Sequence, residues 1–301
     1  YTVIEAWLQA KVTNETRGRA MASYRVADMG ASFAAQFMIG ALANLETYIA
    51  YNILTILCCA SLLPLTLTKI KQPLTPATMR LRPMLAWQAS PLAVAGVLVA
   101  ALSSASFRMV GPIYGQEVGL AANQIGYFLA AFVAGGAVAQ YPIGWLADKY
   151  DRRWVLIGLS IAAIATCALT VASAQMGTTA VMWSAALFGL TTFPVYSVAT
   201  AHAHDFATAD QRVELSAALV FFYAVGAIAA PYTTSILIAA FGPSALFTFI
   251  SMGHVTLVVF GLSRMRVRAA PEKRTRYVYA PRTSFVIGRL LGRSRDPSQK
   301  E

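Results

Sequence analysis

Apolar residues in this chain are gathered into long runs, and short polar connections separate one run from the next. Eight runs are long enough to cross a hydrocarbon core of about 30 Å as helices of ~20 residues. They cover residues 19–40, 47–68, 91–112, 123–146, 154–174, 179–200, 214–240 and 243–263. In lipid a backbone must satisfy its polar groups within its own element, so each run is expected to be an α-helix. A closed β-barrel would show alternating segments of ~10 residues, and these runs do not alternate. The fold class expected is therefore an all-α, polytopic membrane protein. Ahead of the first full run, Tyr1–Ala10 supplies only half a span before Lys11. That stretch reads as the cytoplasmic end of a helix whose start lies upstream, and the chain as a fragment of a longer protein.

The connections alternate in charge. Those carrying Lys11, Arg17 and Arg19, then Lys69, Lys71, Arg80 and Arg82, then Lys149, Arg152 and Arg153, then Arg212, and finally the tail from Arg264 are basic. The intervening connections 41–46, 113–122, 175–178 and 241–243 hold no Lys or Arg. This is the positive-inside pattern, and it places the basic loops and the C-terminus in the cytoplasm. Of the 24 Lys and Arg residues, only Arg25 and Arg108 fall inside apolar runs. The net charge of +11 sits where anionic lipid of the cytoplasmic face would attract it, so membrane lipid is the expected partner and nucleic acid is not. Cys58, Cys59 and Cys167 lie inside apolar runs and read as small buried hydrophobes.

The polar stretch Lys69–Gln88, with Pro73, Pro76 and Pro83, divides the chain unequally. Two and a half spans precede it and six follow. Many transporters consist of two six-span halves in parallel repeat, so the number six is informative. An internal echo points the same way, because Thr13–Gly40 and Thr208–Ser235 share a plan of Arg, small residues and an aromatic. The organisation expected is an N-terminal part over 1–68, a cytoplasmic linker over 69–90, a six-helix bundle over 91–263 and a basic tail over 264–301. Within the tail, 283–293 could lie on the lipid surface or be a disordered segment held loosely by charge.

The sharpest local motif is Gly144-Trp145-Leu146-Ala147-Asp148-Lys149-Tyr150-Asp151-Arg152-Arg153. It resembles the loop signature of the major facilitator superfamily, Gly-x-x-x-Asp-Arg/Lys-x-Gly-x-Arg/Lys-Arg/Lys, in its second copy. Gly144, Asp148, Lys149, Arg152 and Arg153 fit, and Asp151 stands where the second glycine would be. Glu5-Ala6-Trp7-Leu8, Arg17-Gly18-Arg19 and His202-Ala203-His204-Asp205 are similar to a bacterial orphan branch of that family. The resemblance implies two six-helix bundles, alternating access around a central cavity, a small-molecule substrate, a monomer and residence in the inner membrane. It implies secondary active transport, proton-coupled, with no cofactor. It would also bring Asp148 near the start of the 19–40 helix, beside Arg17, as a latch that closes the cytoplasmic side. Other readings are a non-transporting sensor or scaffold with the same fold, or an inert truncated fragment.

Intramembrane charges cost at least ~2.5 kcal/mol and usually pair or face a cavity. Arg25 and Asp28 stand one turn apart, so they could neutralise each other or bind substrate and carry a proton. Arg108 follows Ser103-Ser104-Ala105-Ser106 on the helix that the resemblance lines up with the cavity. It could hold an anionic group there, or reach toward the outer surface. Thr191, Thr192 and Tyr196 flank Pro194 on another such helix, where they could line a substrate path or, as is more frequent for any one of them, serve as packing residues; Gln36 and Tyr223 are weaker candidates of the same kind. His202-x-His204-Asp205 looks like a metal cluster but lacks further ligands nearby, so no metal is expected. The sequence contains no nucleophile elbow and no phosphate-cradling glycine loop, hence no enzyme signal. It lacks the polar or charged rings of a channel as well.

Overall fold

A computed structural model of the chain describes residues 30–38, 41–42, 45–67, 82–208 and 211–267. Helices account for nearly all of them. After a helical stretch at 30–38 come α1 (Thr47–Leu67), α2 (Pro83–Ala89), α3 (Pro91–Glu117) and α4 (Ala122–Lys149). They are followed by α5 (Arg152–Ser173), α6 (Thr178–His204), α7 (Arg212–Phe241) and α8 (Ala245–Val267). Among the described residues, seven helices are long and apolar enough to cross a membrane: α1 and α3 to α8.

Helices α3 to α8 form one bundle. Its closest pairings are α4 with α6, α3 with α7, α5 with α6, and α5 with α8. Two apolar clusters fill it. One lies toward the ends joined by the basic loops and includes Leu92, Val97, Leu156, Val198, Leu215 and Leu257. The other is aromatic, and Phe107 of α3 is its hub, 4.2 Å from Phe132, 4.9 Å from Phe128 and 5.3 Å from Phe188 between ring centroids.

Apolar burial drives little association between helices in lipid, so close backbone approach and polar pairs matter more. Both are present. A Cβ built on Gly135 of α4 would lie 1.9 Å from the Ala186 carbonyl oxygen, and one on Gly189 of α6 would lie 1.9 Å from that of Phe132. The two helices thus cross backbone to backbone, and only glycine fits there. Hydroxyl pairs tie the others: Ser106 with Thr234 at 2.9 Å, Thr166 with Thr191 at 3.1 Å, and Ser173 with Ser184 at 3.0 Å.

Three sequence expectations change. The helix from Pro91 does not stop at Gly111-Pro112 but runs through Pro112 to Glu117, and Pro142, Pro194 and Pro231 likewise lie inside continuous helices. Proline removes one hydrogen bond, but with no water to compete the helix has no better conformation to adopt. The linker is not wholly irregular, because α2 forms at its end, starting on Pro83 and burying Leu85 and Ala86 in the bundle. Cys58 and Cys59 are exposed, not buried, since α1 has no fully buried residue among those described; Cys167 alone is buried.

Candidate functional site

The signature loop folds as a helix end followed by a helix start. Tyr150 ends α4 and Asp151 caps α5, its carboxylate accepting from the Arg153 backbone N–H at 3.0 Å. An aspartate at this position satisfies an orphan donor and faces the positive end of the helix. Burial pushes its pKa up, but the hydrogen bonds from the Arg153 side chain and backbone outweigh that, and the carboxyl is held below its ordinary value. Arg153 Nε reaches Asp151 at 3.0 Å and Nη2 at 2.7 Å.

The cap turns Arg152 inward, where its side chain is 1% exposed. One nitrogen, Nη1, donates to the Ala201 carbonyl at 3.0 Å and to Asp205 Oδ1 at 2.5 Å. The other, Nη2, reaches Asp148 Oδ1 at 3.4 Å. Asp205 is as buried as Arg152, whereas Asp148 is 43% exposed. One guanidinium therefore joins the ends of α4, α5 and α6 on the side of the basic loops, with a dry carboxylate on one side and a wet one on the other. Gly144 is buried one turn before Asp148 in α4, while Lys149 stands outside over the rings of Trp145 and Tyr150, 5.0 and 5.6 Å from their centroids.

Asp205 is the partner that the signature motif does not contain, and in sequence it stands beside His202 and His204 rather than beside Arg152. The three residues point to different partners: Asp205 to Arg152, His204 Nε2 to Ser216 at 3.2 Å, and His202 edge-on to Phe206 at 5.2 Å. Among the described residues no group of three or more ligating side chains could hold a metal ion. The available signal was an acid five residues beyond the end of a predicted span, in the same connection as Arg212.

The intramembrane candidates divide in two. Arg108 lies about 26 Å along α3 from its start at Pro91. It is exposed at the bundle surface, with its guanidinium 5.8 Å from the Phe193 ring of α6. Tyr196 of α6 meets Tyr223 of α7 edge-on at 5.3 Å, the first buried and the second half-buried. Ser103 and Thr192, by contrast, are fully buried. Thr192 donates to its own helix at the Phe188 carbonyl, 2.8 Å away. Ser103 donates to the Val99 carbonyl at 2.8 Å and meets His254 Nε2 of α8 at 3.0 Å. His254 was not among the sequence candidates, though an ionisable residue within the 243–263 run was the signal for it. Gln36 is half-buried and donates to the Ser32 carbonyl at 3.4 Å, and its neighbour Phe37 meets Tyr127 of α4 at 5.6 Å. Arg17, Arg25 and Asp28 lie outside the described residues.

Membrane-length helices, a six-helix bundle and a charged cluster bridging three helix ends define a polytopic membrane protein built on a transporter-type half. Residues 92–295 match the profile of the Major Facilitator Superfamily, and the chain belongs to that family. It is similar to a protein of Escherichia fergusonii named uncharacterized MFS-type transporter YcaD, with 28% identity over 256 residues, 83% of this chain and 65% of that one. Its Salmonella arizonae namesake is 29% identical over 255 residues, covering 83% and 65%. An uncharacterized MFS-type transporter of Enterobacter sp. is 28% identical over 283 residues, covering 93% and 71%. The chain thus spans about two thirds of the length of these curated relatives.

Proposed function

We propose that this chain is part of a secondary active transporter that moves a small organic solute across the inner membrane by alternating access, with proton coupling. Family membership and the names of the relatives support transport. The observation that carries the mechanism is the Asp148–Arg152–Asp205 cluster, a buried cation shared between one dry and one wet carboxylate at the cytoplasmic helix ends. Asp205 fixes Arg152 to α6, while Asp148, bonded to the same guanidinium at 3.4 Å, is exposed and can exchange partners. In this reading Asp148 engages the other half near Arg17 when the cytoplasmic side is shut and releases it when that side opens. Asp28 carries the proton, and Arg108 with the Phe193, Tyr196 and Tyr223 rings faces the solute. The alternation of basic and neutral loops supports a cytoplasmic C-terminus.

Hydrogen exchange of the protein in proteoliposomes tests the latch. Asp148→Asn is expected to raise exchange of backbone amides in 144–153 and 201–206 while 113–122 stays unchanged. Equal exchange in both proteins would leave Asp148 as a topological anchor only. Uptake screening of solutes under an imposed pH gradient, with Asp28→Asn beside it, tests the coupling; uptake indifferent to the gradient would end the proton assignment.

A further inference from the structure

One face of α4 is left uncovered by its own bundle. Along it Tyr127, Val138, Tyr141, Trp145 and Asp148 are exposed, and Ala131 and Ala134 are half-buried. They follow one another at alternating steps of four and three residues, which is a single line along a helix and the spacing of a helix-pair seam. Tyr141 is 87% exposed and stands about 12 Å inside the helix end at Lys149, where a hydroxyl turned to hydrocarbon would lack a partner. At its far end the line is already occupied, because the Phe37 ring of the 30–38 helix meets Tyr127 at 5.6 Å. Phe37 comes shortly before the neutral connection 41–46, and Tyr127 shortly after the neutral connection 113–122. The two helices therefore run in opposite directions.

Opposite directions fix a register: each residue added after Tyr127 on α4 is matched by one taken off before Phe37 on the 19–40 run. Eighteen residues make about five full turns, so the ring contact is expected to recur about 27 Å away, between Trp145 and Arg19. Arg17 would point about 200° round the helix from Phe37 and so away from α4. Between these ends Phe33 is expected opposite Ala131, Gly30 opposite Ala134, Val26 opposite Val138 and Ser23 opposite Tyr141, so no pair sets two bulky groups against each other. A Cβ built on Gly30 would meet nothing within 4 Å, and the line stands open at that level. We propose that residues 16–37 close along this line onto α4, and that Arg19, lying against Trp145, takes Asp148 when it leaves Arg152. Helical side chains lean toward the N-terminal end of their own helix, which tilts Arg19 and Asp148 toward each other across an antiparallel pair. This rests on the reading of Asp148 as a latch and names its partner as Arg19.

Disulfide trapping in the full chain tests the register. Cys58, Cys59 and Cys167 are replaced by alanine, cysteine pairs are placed along the line, and a protease site is set within 72–79. After reconstitution, oxidation with copper phenanthroline and cleavage, the two parts stay together on a denaturing gel only when bridged. Phe37→Cys with Tyr127→Cys, already in contact, should bridge and shows that the protein is folded. Val26→Cys with Val138→Cys is expected to bridge as well. Val26→Cys with Trp145→Cys, displaced about 10 Å along the axis, should bridge at least roughly tenfold more slowly. Arg19→Gln should slow the bridge between positions 26 and 138 roughly fivefold, whereas Arg17→Gln should leave it within about twofold. With the control pair bridged, no bridge between 26 and 138, or one no faster than between 26 and 145, would overturn the seam and leave that face of α4 to lipid or a second copy. Slowing by Arg17→Gln and not by Arg19→Gln would overturn the register. A failed seam with Asp148→Asn still raising exchange in 144–153 would leave the latch with a different partner.

Discussion

Asp205 is the carboxylate on which the ionic cluster at the helix ends depends most. Its side chain and that of Arg152 are each 1% exposed. Removing one member of a buried ion pair strands the other charge, at a cost of about 3–5 kcal/mol. For Asp205→Asn the lower end is expected. The amide oxygen still accepts from Nη1, the Ala201 carbonyl remains at 3.0 Å, and Asp148 remains at 3.4 Å. Asp148 contributes modestly because it is 43% exposed and screened by water. A loss of about 3 kcal/mol corresponds to roughly two orders of magnitude in the unfolding equilibrium. Unfolding in mixed micelles titrated with a denaturing detergent, followed by tryptophan fluorescence, measures it.

A double-mutant cycle separates the pair from the stranded charge. Arg152→Met with Asp205→Leu replaces two dry ions by apolar groups, so it should be more stable than Asp205→Asn by at least ~2 kcal/mol. A loss below about 1 kcal/mol for Asp205→Asn would mean that water reaches Arg152 and the cluster is not dry. Additive losses in the double variant would mean that the two residues are not coupled.

Three further outcomes are expected. Gly189→Ala places a methyl 1.9 Å from the Phe132 carbonyl oxygen and should cost at least ~3 kcal/mol, whereas Gly158→Ala, with nothing within 4 Å, should be neutral or stabilising by up to about 1 kcal/mol; the same unfolding titration reads both. Asp151 has a folded-state pKa below its unfolded value, so its contribution is present above about pH 4 and fades as pH falls through the lower folded value. Asp151→Asn should therefore lose stability at pH 7 and show a shallower further loss on acidification than wild type. Ser103→Ala leaves His254 Nε2 without its partner in a fully buried position and should cost ~1–3 kcal/mol, part of it regained when His254→Leu is added; no loss in the single variant would mean that the pair carries no structural weight.

The spans were legible because hydrocarbon gives a polar backbone one solution, so run length alone places α1 and α3 to α8 to within a few residues at most ends. What sequence could not supply is which face of each span turns inward. In a soluble helix the apolar stripe marks the core. Here the exposed positions Val138 and Ile228 are as apolar as the buried Val97 and Leu215. Ser103 and Thr192 consequently read as cavity residues, although one pairs with His254 and the other with its own helix. Proline misled at one run end for a related reason: Pro112 acts as punctuation in water but not in this helix, which continues to Glu117. Helix α2 is seven residues long, too short for a periodic signal, and only its contact with the bundle makes it a helix. Loop charge was legible in kind but not in pairing. The motif gave Asp148, Arg152 and Arg153, yet Arg152 and Arg153 take different carboxylates because the Asp151 cap turns one inward and keeps the other beside itself.

The distribution of strong and weak contacts within the bundle bears on how it can move. Backbone contact through Gly135 and Gly189, the Phe107 ring cluster and the hydroxyl pairs all lie within the membrane-spanning length of the helices. Sliding any of these helices past its neighbour would drive a carbonyl into a Cα or strip a hydroxyl of its partner where no water can replace it. Among the described residues, ionic contacts that water can loosen lie at the ends joined by the basic loops: Asp148 on Arg152, and Arg82 with Glu214 at 3.5 Å. Such a unit is stiff in its interior and adjustable at one rim. Changes in loop charge should therefore alter how the bundle meets its surroundings without altering how its own helices pack. Substitutions at the glycine crossing should do the reverse.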